Sequence, residues 1–260
     1  MARLTDGHGV DSVMRIMEPE PPAGRLPGSW MDRLQALLEV LLLSGLVSGF
    51  VASLPFSAIH GAGTPLTASA KSVSTFLLLE ASICLILLLL VLHMNREPLR
   101  DLGVRPDRWP SHAVVGLALV PVLFLTNGIV AFSFKLLLPK YFLDRNPLVD
   151  VIRTPQDLII FLCVALFAGG IKEELQRAFI LNRFRQHLGG AWLGLVVWSL
   201  AFGAGHYIQG PQGVVAASIY GLVFGGVYLA RGSLVAPVVA HATYDAVALM
   251  GYWFLLGPLK

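Results

Sequence analysis

An all-α bundle of about seven membrane-spanning helices is the fold this sequence predicts, and three observations predict it. The 260 residues are 55% hydrophobic with a mean hydropathy of +0.70. Only 13% are charged, where soluble domains run near a quarter. Apolar runs of about the 20 residues needed to cross a bilayer recur along the chain.

The first run covers about Asp32 to Leu54, the second Val73 to His93, and the third His112 to Leu137. The fourth begins at Thr154-Pro155-Gln156-Asp157, where Thr154 suits the N-cap, Pro155 the first helical position and Asp157 the positive end of the dipole. It runs to His187, and Gly189-Gly190 breaks it. The fifth covers about Ala191 to Tyr207 and stops before Gly210-Pro211. The sixth covers about Val214 to Ala230, the turn Arg231-Gly232-Ser233 follows, and the seventh covers Leu234 to Leu256. Residues 1–30 hold Pro19, Pro21, Pro22 and Pro27 with mixed charge and no apolar core, which reads as a flexible cytoplasmic tail and not a signal peptide. Three parts result: that tail, N-terminal transmembrane helices over 31–99, and a core over 100–260.

The net charge of +3 comes mostly from arginines beside the apolar runs. With the N-terminus inside, the cytoplasmic segments hold about eleven Lys and Arg against six outside, so N-in is expected, in a bacterial cytoplasmic membrane. No compact basic cluster with interleaved aromatics appears, so no nucleic-acid partner is expected. The partners expected are the lipid bilayer and a membrane-associated peptide or protein. The basic segment 138–153 lies on the outer side, and its Tyr141, Phe142 and Leu143 suit the interface. Cys84 and Cys163 lie in apolar runs and read as small buried hydrophobes.

Ionisable groups inside the apolar runs carry the functional reading, because a charge at the bilayer centre costs about 3 kcal/mol on insertion scales. Glu173, Glu174 and Arg177 sit in the fourth helix, His206 ends the fifth, and His241 and Asp245 share a face of the seventh. Arg177 can meet either glutamate, neutralising one and leaving the other as a general base. The competing reading is a structural ion cluster with Lys172, Arg183 and Arg185. Treating helices four and five as an antiparallel hairpin turning at Gly189-Gly190 puts Glu173 level with His206. Asp245 can orient the His241 imidazole. Glu80 would pair with a distant cation or stay protonated, while Glu39 and Asn127 are weaker candidates. Gly221-x-x-x-Gly225 reads as a packing motif.

Glu173-Glu174 with Arg177, then Phe202-x-x-x-His206, then His241-x-x-x-Asp245, in this order on successive helices, resemble the CPBP family. That family, also called ABI, includes CAAX prenyl endoproteases and bacteriocin-processing or self-immunity proteins. The resemblance covers about residues 100–255. Arg177 departs from the pattern, standing three residues after Glu174 where the family has four. Either Glu173-Glu174 are the family pair, or Glu173 is the second glutamate and Lys172 replaces the first. What the resemblance implies is an intramembrane endopeptidase, with Glu173, Glu174, Arg177, His206, His241 and Asp245 as its catalytic set. Zinc held by Glu173, His206 and His241 is an alternative to a glutamate-activated water. Two other functions stand beside this one: a non-catalytic immunity or binding scaffold, and a small-solute or proton-coupled transporter.

Overall fold

The computed structural model describes residues 29–104 and 109–257, so the proposed tail lies, but for its last two residues, outside the described residues. Seven helical rods follow one another among them, with no strand. The first is α1 (Trp30–Leu42) and α2 (Leu46–His60), followed by α3 (Ala70–Met94) and α4 (Trp109–Leu137). The fourth is α5 (Pro155–Val164), a π-helical stretch (Ala165–Glu173) and α6 (Glu174–His187). Then come α7 (Ala191–Gly205), α8 (Gly210–Arg231) and α9 (Val235–Gly251), the last extended by a π-helical turn (Tyr252–Leu256).

Among the described residues, four helices are long and apolar enough to cross a membrane: Trp30–His60, Ala70–Met94, Trp109–Leu137 and Tyr207–Arg231. The outer surface agrees, since large apolar side chains such as Leu46, Phe50, Val114 and Phe132 stand more than half exposed there. The protein is an integral membrane protein built as an all-α bundle. The fourth rod carries too many charges to look like a span by composition. Those charges point inward: Lys172, Glu174, Arg177 and Arg183 are all buried.

The local signals behave as their chemistry dictates. Thr154 caps α5 in a reciprocal box with Asp157, with Pro155 at the first position. Gly189 and Gly190 take positive φ (96° and 103°) at the turn between α6 and α7. Gly221 and Gly225 let α8 close on α7: an added Cβ would lie 2.9 Å from Ser199 Cα and 2.4 Å from Leu195 Cδ1.

The first rod differs from the single expected helix. It breaks at Leu43–Gly45, with Gly45 at φ 94°. The break leaves the Leu43 carbonyl without a helical partner, and Gln176 of α6 donates to it. Beside the break, Ser48 donates to Glu80 (2.7 Å), and Glu80 forms a buried ion pair with Lys172 (2.8 Å). Glu80 thus has a cation partner, and Lys172 has its carboxylate contact on α3. Glu39 receives Arg183, which also reaches Glu97 at 2.8 Å. The structural ion cluster therefore exists, but it engages Arg183 and Glu39 rather than Glu173.

The largest apolar cluster joins α3, α6 and α7 through residues such as Leu88, Phe179, Ile180, Leu181 and Trp198. It fills the half of the bundle near the Gly189-Gly190 turn. Two further clusters, one around Val73, Val151 and Phe161 and one around Leu123, Tyr220 and Phe224, wall the other half. Between them lies a cavity.

Candidate active site

The π-helical stretch carries the first site residue. A π-helix makes i→i+5 bonds and is rare, and it re-aims the side chains that follow. It ends at Glu173, the point where the Glu-Glu-Arg spacing is irregular. Its glycines are what let α9 approach. A Cβ on Gly169 would lie 2.8 Å from Asp245 Oδ2 and 3.4 Å from His241 Nε2, and one on Gly170 would lie 2.9 Å from Ala242 Cβ.

Glu174 and Glu173 fall into different environments. Glu174 is 1% exposed and pairs with Arg177, itself 1% exposed, one helical turn on. It also meets His241 Nδ1 at 2.8 Å. A carboxylate engaged by a guanidinium only accepts, so Nδ1 of His241 carries the proton and Nε2 is turned to the other side. There it stands 3.6 Å from Asp245 Oδ2 and 3.8 Å from Glu173 Oε2. That Glu173 oxygen is screened from solvent and makes no hydrogen bond within the chain.

Aromatic rings hold this arrangement. The Arg177 guanidinium sits 4.6 Å from the Phe202 ring centre and 5.3 Å from that of Phe224, a cation–π sandwich. Nε and Nη2 of Arg177 make no hydrogen bond, so the rings are their main neighbours. Phe224 also stacks on His241 (centroids 4.8 Å, planes 20° apart). Phe202 packs on His206 at 4.5 Å, which gives the phenylalanine of Phe202-x-x-x-His206 two tasks. His206 follows the last residue of α7, and its Nδ1 lies 2.8 Å from the Phe202 carbonyl. The carbonyl can only accept, so Nδ1 donates and Nε2 is the nitrogen left for another partner.

Glu173, His206, His241 and Asp245 all line one cavity of about 1110 Å³. Counting along each helix puts Glu173 about 21 Å and His206 about 22 Å from the Gly189-Gly190 turn. Gly205 faces the cavity and has no atom within 4 Å of where a Cβ would stand, which leaves room beside His206. Arg177 and Glu174 stay behind the wall. Asn127 lines the cavity too, with the hydroxyls of Tyr220 and Tyr244 bonded to each other at 2.7 Å.

Zinc finds no ready seat. Among the described residues no three His, Cys, Asp or Glu side chains gather closely enough to hold one ion. His241 Nδ1 is held by Glu174 and His206 Nδ1 by a backbone carbonyl, which leaves Nε2 of each ring to face the cavity.

Sequence reasoning missed the roof. The segment between α4 and α5, read as interfacial, sends Asn146, Leu148 and Val149 into the cavity. Arg145 straps it to the end of α9: Nε reaches Asp150 at 2.7 Å and the Tyr252 hydroxyl at 3.0 Å, and Nη2 reaches the Gly257 carbonyl at 3.1 Å. Arg145 and Asp150, five residues apart, were the only sequence signal for it.

Residues 154–247 match the family model described as type II CAAX prenyl endopeptidase Rce1-like, which agrees with the CPBP resemblance. The matched span begins at the Thr154 cap and ends just past Asp245. It therefore contains Glu173, Glu174, Arg177, His206, His241 and Asp245. No curated protein and no solved structure matches the chain.

Proposed function

From an Rce1-like domain of a membrane protease family, set in an integral membrane bundle, we propose that this chain is an intramembrane endopeptidase. It hydrolyses a peptide bond of a membrane-associated polypeptide, with Glu173 as general base. The observation that carries this reading is the division of labour between the two glutamates. Glu174 is bound by Arg177 and His241 behind the cavity wall, while Glu173 offers an unbonded oxygen inside the cavity, beside His241.

Water held by Glu173 and by the lone pair on Nε2 of His206 attacks the carbonyl carbon as Glu173 takes its proton. The new C–O bond pushes the carbonyl electrons onto oxygen. His241, held in place by Glu174, presents Nε2 to the same space with Asp245 beside it. When that nitrogen is protonated it donates to the oxyanion. Collapse breaks the C–N bond, and Glu173 returns its proton to the leaving amine. No step in this reading is routed through a metal. The arginine-rich end, with the N-terminus, lies on the cytoplasmic side of a bacterial-type membrane.

The test is cleavage of membrane-anchored peptides by the purified protein. His206→Ala should lose about 10²- to 10⁴-fold in kcat, the usual span for a positioned acid–base group. Full activity in His206→Ala would sink the reading, and no cleavage of any peptide by the wild type would favour a scaffold. Activity unchanged by a chelator is expected.

A further inference from the structure

The cavity belongs to one end of the bundle. Its lining includes Leu66 from the connection between α2 and α3, Asn146 and Val149 from that between α4 and α5, Gln209 from that between α7 and α8, and Leu255 past α9. These four places are the helix connections and the helix terminus at a single end. Among the described residues, none of the lining comes from the opposite end, where Asn95–Val104, Leu188–Gly190 and Gly232–Leu234 lie. That opposite end is filled by the largest apolar cluster, with Leu92, Leu102, Phe184 and Leu234 among its members.

The arginines divide the other way. The closed end carries Arg33, Arg96, Arg100, Arg183, Arg185 and Arg231, and the sequence adds Arg105 and Arg108 to the same connection as Arg100. The cavity end carries fewer: Lys71, Lys135, Lys140, Arg145 and Arg153. Short connections rich in Lys and Arg stay in the cytoplasm.

We infer that the active cavity faces away from the cytoplasm and takes its peptide from the non-cytoplasmic side. Its substrate class is then a polypeptide segment already carried across the membrane, such as an exported peptide or the outer flank of a membrane-anchored chain. A tail displayed in the cytoplasm would meet the closed end, where the apolar cluster stands between it and the cavity. The substrate part of this inference rests on the proteolytic reading above. The orientation part does not.

Two measurements on the full chain test the two parts separately. Cysteines placed singly at the exposed positions Lys140→Cys and Arg153→Cys (cavity end) and Arg100→Cys (closed end) are treated with a membrane-impermeant maleimide, with the wild type as blank. The first two should label in intact cells and the third only in inverted vesicles. The reverse pattern would overturn the orientation. Cleavage of a membrane-impermeant peptide is then compared in right-side-out vesicles, inverted vesicles and detergent. Right-side-out vesicles should cleave at least 10-fold faster than inverted ones. Faster cleavage in inverted vesicles would overturn the inference while leaving the protease intact. No cleavage in detergent would overturn the proteolytic reading on which the substrate class rests.

Discussion

Arg177→Met is the perturbation whose cost follows most directly from the structure. The guanidinium is 1% exposed, pairs with a carboxylate that is equally buried, and lies between two aromatic rings. Methionine keeps much of the volume but removes the cation and leaves the Glu174 carboxylate with His241 as its remaining polar partner. Breaking a buried pair from one side costs about 3–5 kcal/mol, because a buried charge is left uncompensated. The two cation–π contacts lie within that figure rather than on top of it, since the same substitution removes all three. For a chain of this size each kcal/mol shifts the melting midpoint by about 2–4 °C, so the loss should read as about 6–20 °C in detergent-solubilised protein. The double variant Glu174→Gln/Arg177→Met removes both charges and should recover part of the loss, giving a coupling of at least about 1.5 kcal/mol. A single variant melting within 1 °C of wild type, or a double variant no better than the single, would refute the buried pair as the scaffold of His241.

Other expectations follow from particular contacts. Gly169→Ala pushes a methyl to within 2.8 Å of Asp245 Oδ2 and 3.4 Å of His241 Nε2, so peptide cleavage should fall about 10²-fold, the cost of misplacing reacting groups by about 1 Å, with the protein still folded by size-exclusion chromatography. Thr154→Ala removes the cap of α5 and should cost about 1 kcal/mol, read as a lower melting midpoint. Arg96 holds φ 57° just past the end of α3, where its amide and that of Glu97 bond back to His93 and Leu92; Arg96→Gly should therefore raise stability by up to about 1 kcal/mol. Arg145→Ala releases the strap between the cavity roof and the end of α9, and faster proteolysis within 139–153 is the expected readout.

How much of this was legible beforehand depended on the range of the interaction. The helix ends were, because Thr154-Pro155-Asp157 and Gly189-Gly190 act on the backbone next to them. That Glu173 and His206 line one cavity was, because a helical hairpin converts sequence distance into depth. The pairing of Arg177 with Glu174 was left open, since i,i+3 and i,i+4 are both within reach on an α-helix. The π-helical stretch before them decides which carboxylate faces the cavity, and no local residue pattern announces a π-helix. The pairing of Lys172 with Glu80 and that of Arg183 with Glu39 were hidden for a different reason: they join rods about 90 and 140 residues apart in sequence, where helix periodicity carries no information. The roof was missed because the segment between α4 and α5 has no periodic pattern at all. Arg145 acquires its role only when the end of α9 comes beside it.

The central claim is that Glu173, and not Glu174, is the base. Single-turnover cleavage of one membrane-anchored peptide by Glu173→Gln, matched in shape to the wild type, tests it most directly. The rate should fall at least about 10²-fold while the melting midpoint stays within a few degrees, because Glu173 supports no hydrogen bond that the fold needs. A Glu173→Gln protein that cleaves at the wild-type rate would contradict the claim.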